Sequence, residues 1–464
     1  MSDIVREMIE TRRALHRRPE EGWCEFQTTA LILERLRALG YEPLCGTRVI
    51  NPKAVMGRSP KKVEAAIERA REAGVSEELL ARMEGYTGAV AVLETGRPGP
   101  VTAWRCDIDC VLVTESCDAS HLPAREGFAS EYPGWMHACG HDGHAAVGLA
   151  LARWVMEHKD ELVGTIKILF QPAEEGVRGA AAMAASGVVD DVDNLIGAHL
   201  GTFCRQGEVG LCRAGFLASS KLDVHFHGIP SHAGADPQKG RSALMAACAA
   251  AMMIQGIPRN GEGDTRVAVG TLHAGEGRNV TPVHADMELE VRGETAEVND
   301  YMRDSVYRIV DGVARSYEVK AEVELAGEAT TLPLCEDLLE IAGDCAKDVP
   351  GVEKVMPITK KAGSEDCTIL MPPISSSAPI RTATIGRTST SSTRSLFPSD
   401  SVSPRRSSND STAAADRIRS RIDRDVRPGE QTPAGASSFW EGGVSSPAHG
   451  QRKSPNRANR FGLS

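Results

Sequence analysis

The segment MHACGHDGH, residues 136–144, holds one thiol, three imidazoles and one carboxylate within nine positions. Within it Cys139 and His141 are spaced C-x-H, and a helical apolar pattern starts at Ala145. Both side chains should therefore lie at a loop-to-helix junction, which can direct them into a cleft. Thiolate, imidazole and carboxylate groups suit Zn²⁺ or Mn²⁺, so the segment is a candidate metal site.

Further donor groups follow two predicted strands. The segment FQPAEEG supplies Glu174 and Glu175, and GAHLG supplies His199. Because sites in α/β proteins form at the carboxyl ends of strands, these side chains should lie near the first cluster. One glutamate could hold a metal while the other moves a proton from water to the leaving amine, since a bound metal lowers the pKa of water from 15.7 toward about 7. Singly, each donor is more often structural, and only their combination favours a metal site.

Periodicity indicates which elements position these groups. Apolar spacing typical of helices covers residues 3–18, 24–39 and 60–84, and the last of these resembles an insertion or cap. Strand patterns occur in GAVAVLETG, PVTAWRCDID, GTIKILFQP and NLIGAHL, with helical segments between them. We therefore predict an α/β fold with a mainly parallel sheet covered on both faces.

A different order of elements begins near Ser219. A strand, a helix at 241–257, two strands, a helix at 297–316 and a last strand form the series β-α-β-β-α-β. This order is typical of a ferredoxin-like domain. Because the α/β pattern resumes afterwards, we predict that the smaller domain is inserted into the larger one.

The chain thus divides into four predicted parts. They are residues 1–218, the first part of the catalytic domain; 219–327, the inserted domain; 328–371, the second and truncated part of the catalytic domain; and 372–464, a tail. The 93 residues of the tail include 20 Ser, 13 Arg and 9 Pro and have no sustained apolar periodicity. We expect the tail to be disordered or poorly packed.

Composition limits the class of protein. The chain has 464 residues, of which 41% are hydrophobic, so it can fill sizeable cores. No stretch is apolar enough to span a bilayer, and the first twenty residues lack the apolar core of a signal peptide, so we expect a cytoplasmic protein whose twelve cysteines are reduced. The first 371 residues carry a net charge of −17, which argues against a nucleic-acid groove. Neither nucleic acid nor membrane is expected as a partner.

Six motifs together resemble one family of enzymes. They are MHACGHDGH, FQPAEEG, GAHLG, GIPSHAGADPQKGRSAL, GEGRNVTPVHADMELEVRGET and AGSEDCTIL. In their order and context, residues 1–371 are similar to the amidohydrolase branch of the aminoacylase/carboxypeptidase metallopeptidase family. The resemblance implies a centre of two divalent metal ions, Mn²⁺ or Zn²⁺, that serves to cleave the amide of an N-acyl or N-aroyl amino acid. The expected substrate is p-aminobenzoyl-glutamate, a product of folate breakdown.

The resemblance assigns roles to the donor groups of the larger domain. The implied metal ligands are Cys139, which would bridge the two ions, His141, Glu175 and His199. Glu174 corresponds to the general acid/base. Asp107, in RCDID, corresponds to an aspartate that orients the metal site, although an ordinary charge at a strand end is the competing interpretation.

The remaining polar residues of the first motif are weaker candidates. His137 and His144 are expected to support the site or to begin a helix rather than to bind metal. Asp142 fits a cap of the following helix equally well.

The resemblance also implies roles in the inserted domain, which would serve as a lid or for dimerisation. His232, in PSHAG, corresponds to a histidine that stabilises the oxyanion of the tetrahedral intermediate, often across a dimer interface. Asn279 and Arg292 correspond to polar groups near the substrate, where an arginine can pair with a glutamate carboxylate. The competing interpretation of Arg292 is an exposed charge at a strand end. The expected assembly is a homodimer or a heterodimer with a homologous subunit.

The sequence departs from the family after Met371. The family supplies one more histidine ligand from a C-terminal segment, whereas here the only histidine after His284 is His449. We interpret the Arg/Ser/Pro-rich tail as a frameshift product that replaces the last helices and strand of the catalytic domain. In the competing interpretation the tail is a true extension, whose 14 Lys and Arg outnumber its 7 Asp and Glu and bind an acidic partner.

Two other functions stay open at this point. The chain could be a binding subunit that keeps the fold but not the activity, in which case it should hold one metal ion or none. A cysteine hydrolase using Cys139 and His141 is less favoured, because it leaves the glutamate pair and His199 without a role. Activity that a chelator abolishes and metal restores would exclude the cysteine hydrolase.

Overall fold

The computed structural model describes residues 3–201, 203–331, 334–359, 361 and 363–370, and the backbone of 381–387. Its helices are α1 (Asp3–Arg17), α2 (Phe26–Ala38), α3 (Pro60–Glu72), α4 (Glu77–Met83), α5 (Leu122–Arg125), α6 (His141–Glu157), α7 (Gly179–Ala184), α8 (Ala243–Gln255), α9 (Ala296–Tyr317) and α10 (Glu336–Lys347). Its strands are β1 (Leu44–Cys45), β2 (Ala89–Glu94), β3 (Val101–Asp107), β4 (Thr165–Gln171), β5 (Asn194–Leu200), β6 (Glu208–Cys212), β7 (Ala218–His227), β8 (Thr265–Ala274), β9 (His284–Gly293), β10 (Lys320–Ala329), β11 (Lys354–Ile358) and β12 (Arg381–Arg387). None of the described helices is both long enough and apolar enough to cross a bilayer.

The larger sheet has eight strands in the order β1-β2-β4-β3-β5-β12-β6-β11. The parallel pairs are β4–β3, β3–β5, β5–β12 and β6–β11. The antiparallel pairs are β1–β2, β2–β4 and β12–β6. The predicted α/β fold with a mainly parallel sheet is confirmed. Because β3, β4 and β5 are parallel, their carboxyl ends meet at one edge, where ligand sites form in such folds.

Helix α6 packs closely on this sheet and fixes the position of its own first residues. A methyl group added at Gly148 would lie 2.6 Å from Cys106 Sγ and 2.8 Å from a ring carbon of Phe170. The buried side of the helix also includes Ala145, Ala152 and other small residues. Small residues on this face let the helix approach the sheet, and His141 at its first position is thereby brought to the strand ends.

The second sheet is antiparallel, with the order β10-β7-β9-β8. Together with α8 and α9 its strands form the series β-α-β-β-α-β, so the predicted ferredoxin-like fold is confirmed. Alternate residues such as Leu222, Val224 and Phe226 pack against the helices, whereas Lys221 and its neighbours of the same parity lie on the opposite face. The predicted division at residues 218, 327 and 371 stays a prediction.

One part of the predicted tail, residues 381–387, is structured, which corrects the expectation for these residues. These residues form β12, which pairs in parallel with β5 from Arg381–Asn194 to Arg387–Leu200 and also contacts β6. Hydrogen bonding on both sides stabilises a strand whose composition alone does not indicate it. The other residues of the predicted tail, including His449, lie outside the described residues.

Candidate metal centre

The predicted donor groups meet where β3, β4 and β5 end and α6 begins. Cys139, Glu174, Glu175 and His199 line one cavity of about 330 Å³. Possible ligand atoms of Cys139, His141 and His199 lie within 4.8 Å of one another, as do those of His141, Glu174 and Glu175. The structure thus brings together the five residues named from the sequence, with His141 common to both groups.

The orientation of His141 suits a metal ligand. Its Nδ1 lies 3.1 Å from Asp109 Oδ1, and the other oxygen of Asp109 accepts a hydrogen bond from the backbone N–H of Glu175 at 2.9 Å. A carboxylate that accepts the proton of one imidazole nitrogen leaves the lone pair of the other free for a metal. Asp109 was missed in the sequence, where its place two residues after Asp107 in RCDID was the available signal.

Two buried atoms face each other here without hydrogen-bond partners among the described residues. His141 Nε2 and Glu175 Oε1 both lack a partner and are 4.0 Å apart, and Glu174 Oε2 is 3.9 Å from the same nitrogen. Cys139 Sγ lies 3.4 Å from His199 Nε2. Buried polar atoms without partners cost free energy unless a ligand satisfies them. A thiol, imidazoles and carboxylates in this arrangement fit a divalent metal ion.

Asp107 and His144 form a third such group with His141, but they are hydrogen-bonded to each other. The backbone N–H of Leu200 donates to His144 Nε2 at 2.8 Å, so the ring proton is on Nδ1, which donates to Asp107 Oδ1 at 2.5 Å. Both nitrogens of His144 are thereby engaged, in agreement with its expected supporting role. Asp107 Oδ1 lies 3.7 Å from His141 Nε2, close enough to influence the site electrostatically.

A buried arginine, also missed in the sequence, links the strand ends below the site. Arg105 donates to Asp107 Oδ2 at 2.6 Å and to Gln171 Oε1 at 2.8 Å. It also reaches Glu365 at 2.9 Å and Asp366 at 3.0 Å. One guanidinium thus connects β3, β4 and the short 3₁₀ helix Asp366–Leu370. The only sequence signal was a charged residue inside an otherwise apolar strand.

Neighbouring charges shift the pKa values of the site. Burial raises the pKa of Glu174 well above its usual range, and the carboxylates of Glu365 and Asp366 raise it further. Burial opposes ionisation of Cys139, but the neighbouring imidazoles of His141 and His199 outweigh burial and lower the pKa of the thiol. The site therefore makes the thiol of Cys139 easier to ionise, and the carboxyl of Glu174 harder to ionise, than they are in water.

Residues 103–391 match the sequence model of peptidase family M20/M25/M40. The chain belongs to this family. The resemblance indicated by the six motifs is thereby confirmed, and the chain is an enzyme of the amidohydrolase/peptidase class.

Three relatives show where the chain lies within the family. It is 44% identical over 367 residues to a homolog of a p-aminobenzoyl-glutamate hydrolase subunit from Haemophilus influenzae, covering 79% of this chain and 87% of that protein. It is also 44% identical over 371 residues to the indole-3-acetyl-aspartic acid hydrolase of Enterobacter agglomerans, covering 79% and 85%. The crystal structure of the aminobenzoyl-glutamate utilization protein of Klebsiella pneumoniae superimposes with a TM-score of 0.73 at 37% identity, covering 83% of this chain and 92% of that chain.

Two further residues of the first motif, Asp142 and His137, do not belong to the candidate groups of metal ligands. Helix α6 has no side-chain cap, and the carboxylate of Asp142 is hydrogen-bonded to His16 Nδ1 at 2.8 Å, so the capping role considered for Asp142 is not observed. His137 is buried with neither ring nitrogen hydrogen-bonded to a described residue. Burial lowers the pKa of His137 to about 4, which keeps the ring neutral.

The three candidates from the inserted domain do not all reach the cavity. Arg292 is among its lining residues, whereas His232 and Asn279, both described and exposed, are not. His232 Nδ1 accepts hydrogen bonds from the backbone N–H groups of Gly234 and Ala235 at 3.2 and 3.1 Å. Within one chain of this family member, the structure therefore brings only Arg292 to the candidate metal centre.

Proposed function

We propose that this chain hydrolyses the amide bond of N-aroyl or N-acyl acidic amino acids, releasing p-aminobenzoate and glutamate from p-aminobenzoyl-glutamate. The observation that carries the proposal is one cavity lined both by the metal-type donors with Glu174 and by Arg292. The first group can act on an amide, and the second can hold the carboxylate of an amino acid. The names of the relatives in Haemophilus influenzae and Enterobacter agglomerans support this substrate class.

In this proposal Cys139, His141, Glu175 and His199 would hold the divalent metal, Mn²⁺ or Zn²⁺. When bound, such a metal polarises a carbonyl oxygen and acidifies water. Asp109 keeps the Nε2 lone pair of His141 available. The hydrogen bonds of Asp107 with His144 and Arg105 hold the end of β3 in place beside His141.

Glu174 is proposed as the group that moves the proton. In its ionised form Glu174 would take a proton from the attacking water, and its raised pKa makes that carboxylate a stronger proton acceptor. It would then deliver the proton to the amide nitrogen, so that the amine leaves uncharged. Arg292 binds the carboxylate of the departing amino acid across the cavity. Water is thereby consumed, one carbon–nitrogen bond is broken, and a carboxylate and an amine are released.

His232 and Asn279 are proposed to act in the cavity of a second protomer. Their exposure in the single chain agrees with a role across an interface, where His232 would donate to the oxyanion. Relatives whose names describe them as one subunit of a hydrolase support an assembly of more than one chain, either two identical chains or this chain with a homologous one. A cytoplasmic location also stays a prediction.

A second candidate function is a non-catalytic binding subunit. It is favoured by one observation, the absence of any histidine between His284 and His449, where the family supplies its last ligand. A binding subunit would hold p-aminobenzoyl-glutamate without consuming it.

Turnover of p-aminobenzoyl-glutamate by the full-length chain tests the proposal. We expect p-aminobenzoate and glutamate in equal amounts when Mn²⁺ or Zn²⁺ is supplied, and no products after treatment with a chelator. Binding without products would support the binding subunit instead. Turnover that survives complete metal removal would favour the cysteine hydrolase and contradict the proposal.

A further inference from the structure

The cavity contains a second basic side chain that the proposed function does not use. Lys221 lines the cavity together with Arg292. In the pairing of β7 with β9, Lys221 lies directly opposite Glu290, and Arg292 follows two residues later on the same face of the sheet. The inserted domain therefore presents two cationic groups to the cavity.

Glu290 holds both cationic groups in place. Lys221 Nζ lies 2.9 Å from Glu290 Oε2, and Arg292 Nε and Nη2 lie 2.9 and 3.1 Å from the two oxygens of the same carboxylate. Burial acts against ionisation of Glu290, but the hydrogen bonds from Arg292 and Lys221 outweigh it and lower the pKa of the carboxyl. Glu290 thus stays ionised, and it is not among the described residues that line the cavity.

Both cations keep hydrogen-bond donors that Glu290 does not use. An ammonium group has three donors and a guanidinium five, and the contacts with Glu290 engage one of Lys221 and two of Arg292. The side chains are 32% and 26% exposed, so a ligand in the cavity can reach them. Two separate cationic groups on one wall suit a ligand with two carboxylates.

The larger domain contributes three carboxyl groups to the lining of the cavity. Glu174, Glu175 and Glu365 line it on the side of the larger domain. Lys221 and Arg292 are the only lysine and arginine among the described residues that line the cavity, and the inserted domain supplies both. An acidic amino acid can therefore direct its two carboxylates toward Lys221 and Arg292 while its amide faces the metal-type donors.

We propose, on the basis of the proposed function, that Lys221 determines specificity by binding the side-chain carboxylate of an N-acyl glutamate or aspartate while Arg292 binds the α-carboxylate. Glu290 is a positioning residue that fixes the spacing of the two cations. Conjugates of neutral amino acids lack the group that Lys221 binds, so the site discriminates against them. The relatives named for glutamate and aspartic acid conjugates agree with this class of substrate.

The test compares p-aminobenzoyl-glutamate with p-aminobenzoyl-glutamine, which has the same shape and α-carboxylate but a neutral side chain. Binding is measured by calorimetry with Mn²⁺ present in the full-length Glu174→Gln chain, so that neither ligand is consumed. We expect the glutamate conjugate to bind about 10- to 100-fold more tightly, since a charge-assisted hydrogen bond is replaced by a neutral one. Adding Lys221→Met should weaken only the glutamate conjugate, down to the affinity of the glutamine conjugate.

Three further variants in the same background complete the test. Lys221→Arg should keep the preference, and Arg292→Met should weaken both ligands alike. Lys320→Met, on the exposed end of β10 in the same domain, is the matched control and should change neither affinity. Equal binding of the two conjugates before Lys221 is changed, or equal weakening of both by Lys221→Met, would overturn the assignment of Lys221.

The failure of this inference is distinguishable from failure of the proposed function. If the wild-type chain hydrolyses both conjugates at the same rate, the proposed hydrolase activity is supported and the proposed role of Lys221 is wrong. If the wild-type chain hydrolyses neither and the Glu174→Gln chain binds neither, both the function and the role of Lys221 are wrong.

Discussion

The two glutamates of FQPAEEG differ in environment although they are adjacent. Glu174 is 8% exposed, and this burial, together with the charges of Glu365 and Asp366, keeps the pKa of its carboxyl high. Glu175 is anchored through its backbone N–H to Asp109, and its Oε1 faces His141 Nε2. These environments support the proposed proton transfer by the first and the proposed metal binding by the second.

Exchange of each glutamate for glutamine should separate these two roles. Glu174→Gln should lower kcat by about 10²–10⁴-fold and leave the metal content unchanged, because only the proton carrier is lost. Glu175→Gln should lower the metal content itself, because a ligand charge is removed. Elemental analysis and turnover of the same samples make the comparison, and loss of metal in Glu174→Gln would contradict the assignment.

The sequence showed the donor residues themselves but not the residues that orient them. Cys139, His141 and His199 stand out by type and by position at element ends. Arg105 and Asp366 are 261 positions apart, and no pattern in the sequence indicates that they pair. The pairing of Lys221 with Glu290 likewise depends on strand register, which periodicity does not give.

At the scale of elements, the close packing of α6 on the sheet determines where His141 lies. Gly148→Ala would place a methyl group 2.6 Å from Cys106 Sγ, so the helix must shift or the sheet must yield. We expect a loss of about 1–3 kcal/mol in the free energy of unfolding, together with weaker metal binding. Gly312→Ala in α9 is the control, because nothing lies within 4 Å of the added methyl group, and it should not destabilise the chain. Equal effects of the two substitutions would contradict this account of α6.

The start of α2 carries a buried carboxyl that makes stability depend on pH. Glu25 accepts hydrogen bonds from the Ala173 N–H at 2.8 Å and from Thr87 Oγ1 at 2.6 Å. Burial, with a further contribution from the charge of Asp109, raises the pKa of Glu25 from 4.5 to about 8. Between these values the folded chain keeps a proton that the unfolded chain releases, so this group lowers stability as pH rises, by about 1.4 kcal/mol per pH unit.

Glu25→Gln should remove this dependence while keeping both hydrogen bonds. The free energy of unfolding, measured by urea titration of the metal-free chain between pH 5 and pH 8, should fall less steeply in the variant than in the wild type. The difference between the two chains should increase toward pH 8. If the free energies of unfolding of the two chains instead change in parallel between pH 5 and pH 8, Glu25 is ionised in the folded chain over this whole range.

Apolar periodicity in the sequence predicted most of the helices and strands, and the elements that it did not predict are short. The helices of the first 84 residues and strands β2 to β5 lie where the apolar patterns predicted them. Strand β6 has only five residues, and β12 is a seven-residue strand held by two neighbours, so tertiary pairing rather than local sequence determines both.

At the scale of the whole molecule, the position of His232 predicts that active sites are shared between chains. Glu174→Gln and His232→Ala should each be inactive alone. In an equal mixture of refolded homodimers, half of the dimers would be mixed, and each would have one intact site, so about one quarter of wild-type turnover should return. No recovery, with dimer formation verified by light scattering, would place His232 in the site of its own chain or outside catalysis.

The donors gathered around His141 are proposed to hold the divalent metal on which amide hydrolysis depends. Metal content and p-aminobenzoyl-glutamate turnover can be measured in one preparation of the full-length chain, before and after stepwise removal and return of Mn²⁺ or Zn²⁺. We expect two ions per chain, turnover that falls with metal content, and recovery of both together. A chain that binds no metal, or that cleaves the substrate equally well without it, would show that these donors do not serve amide hydrolysis.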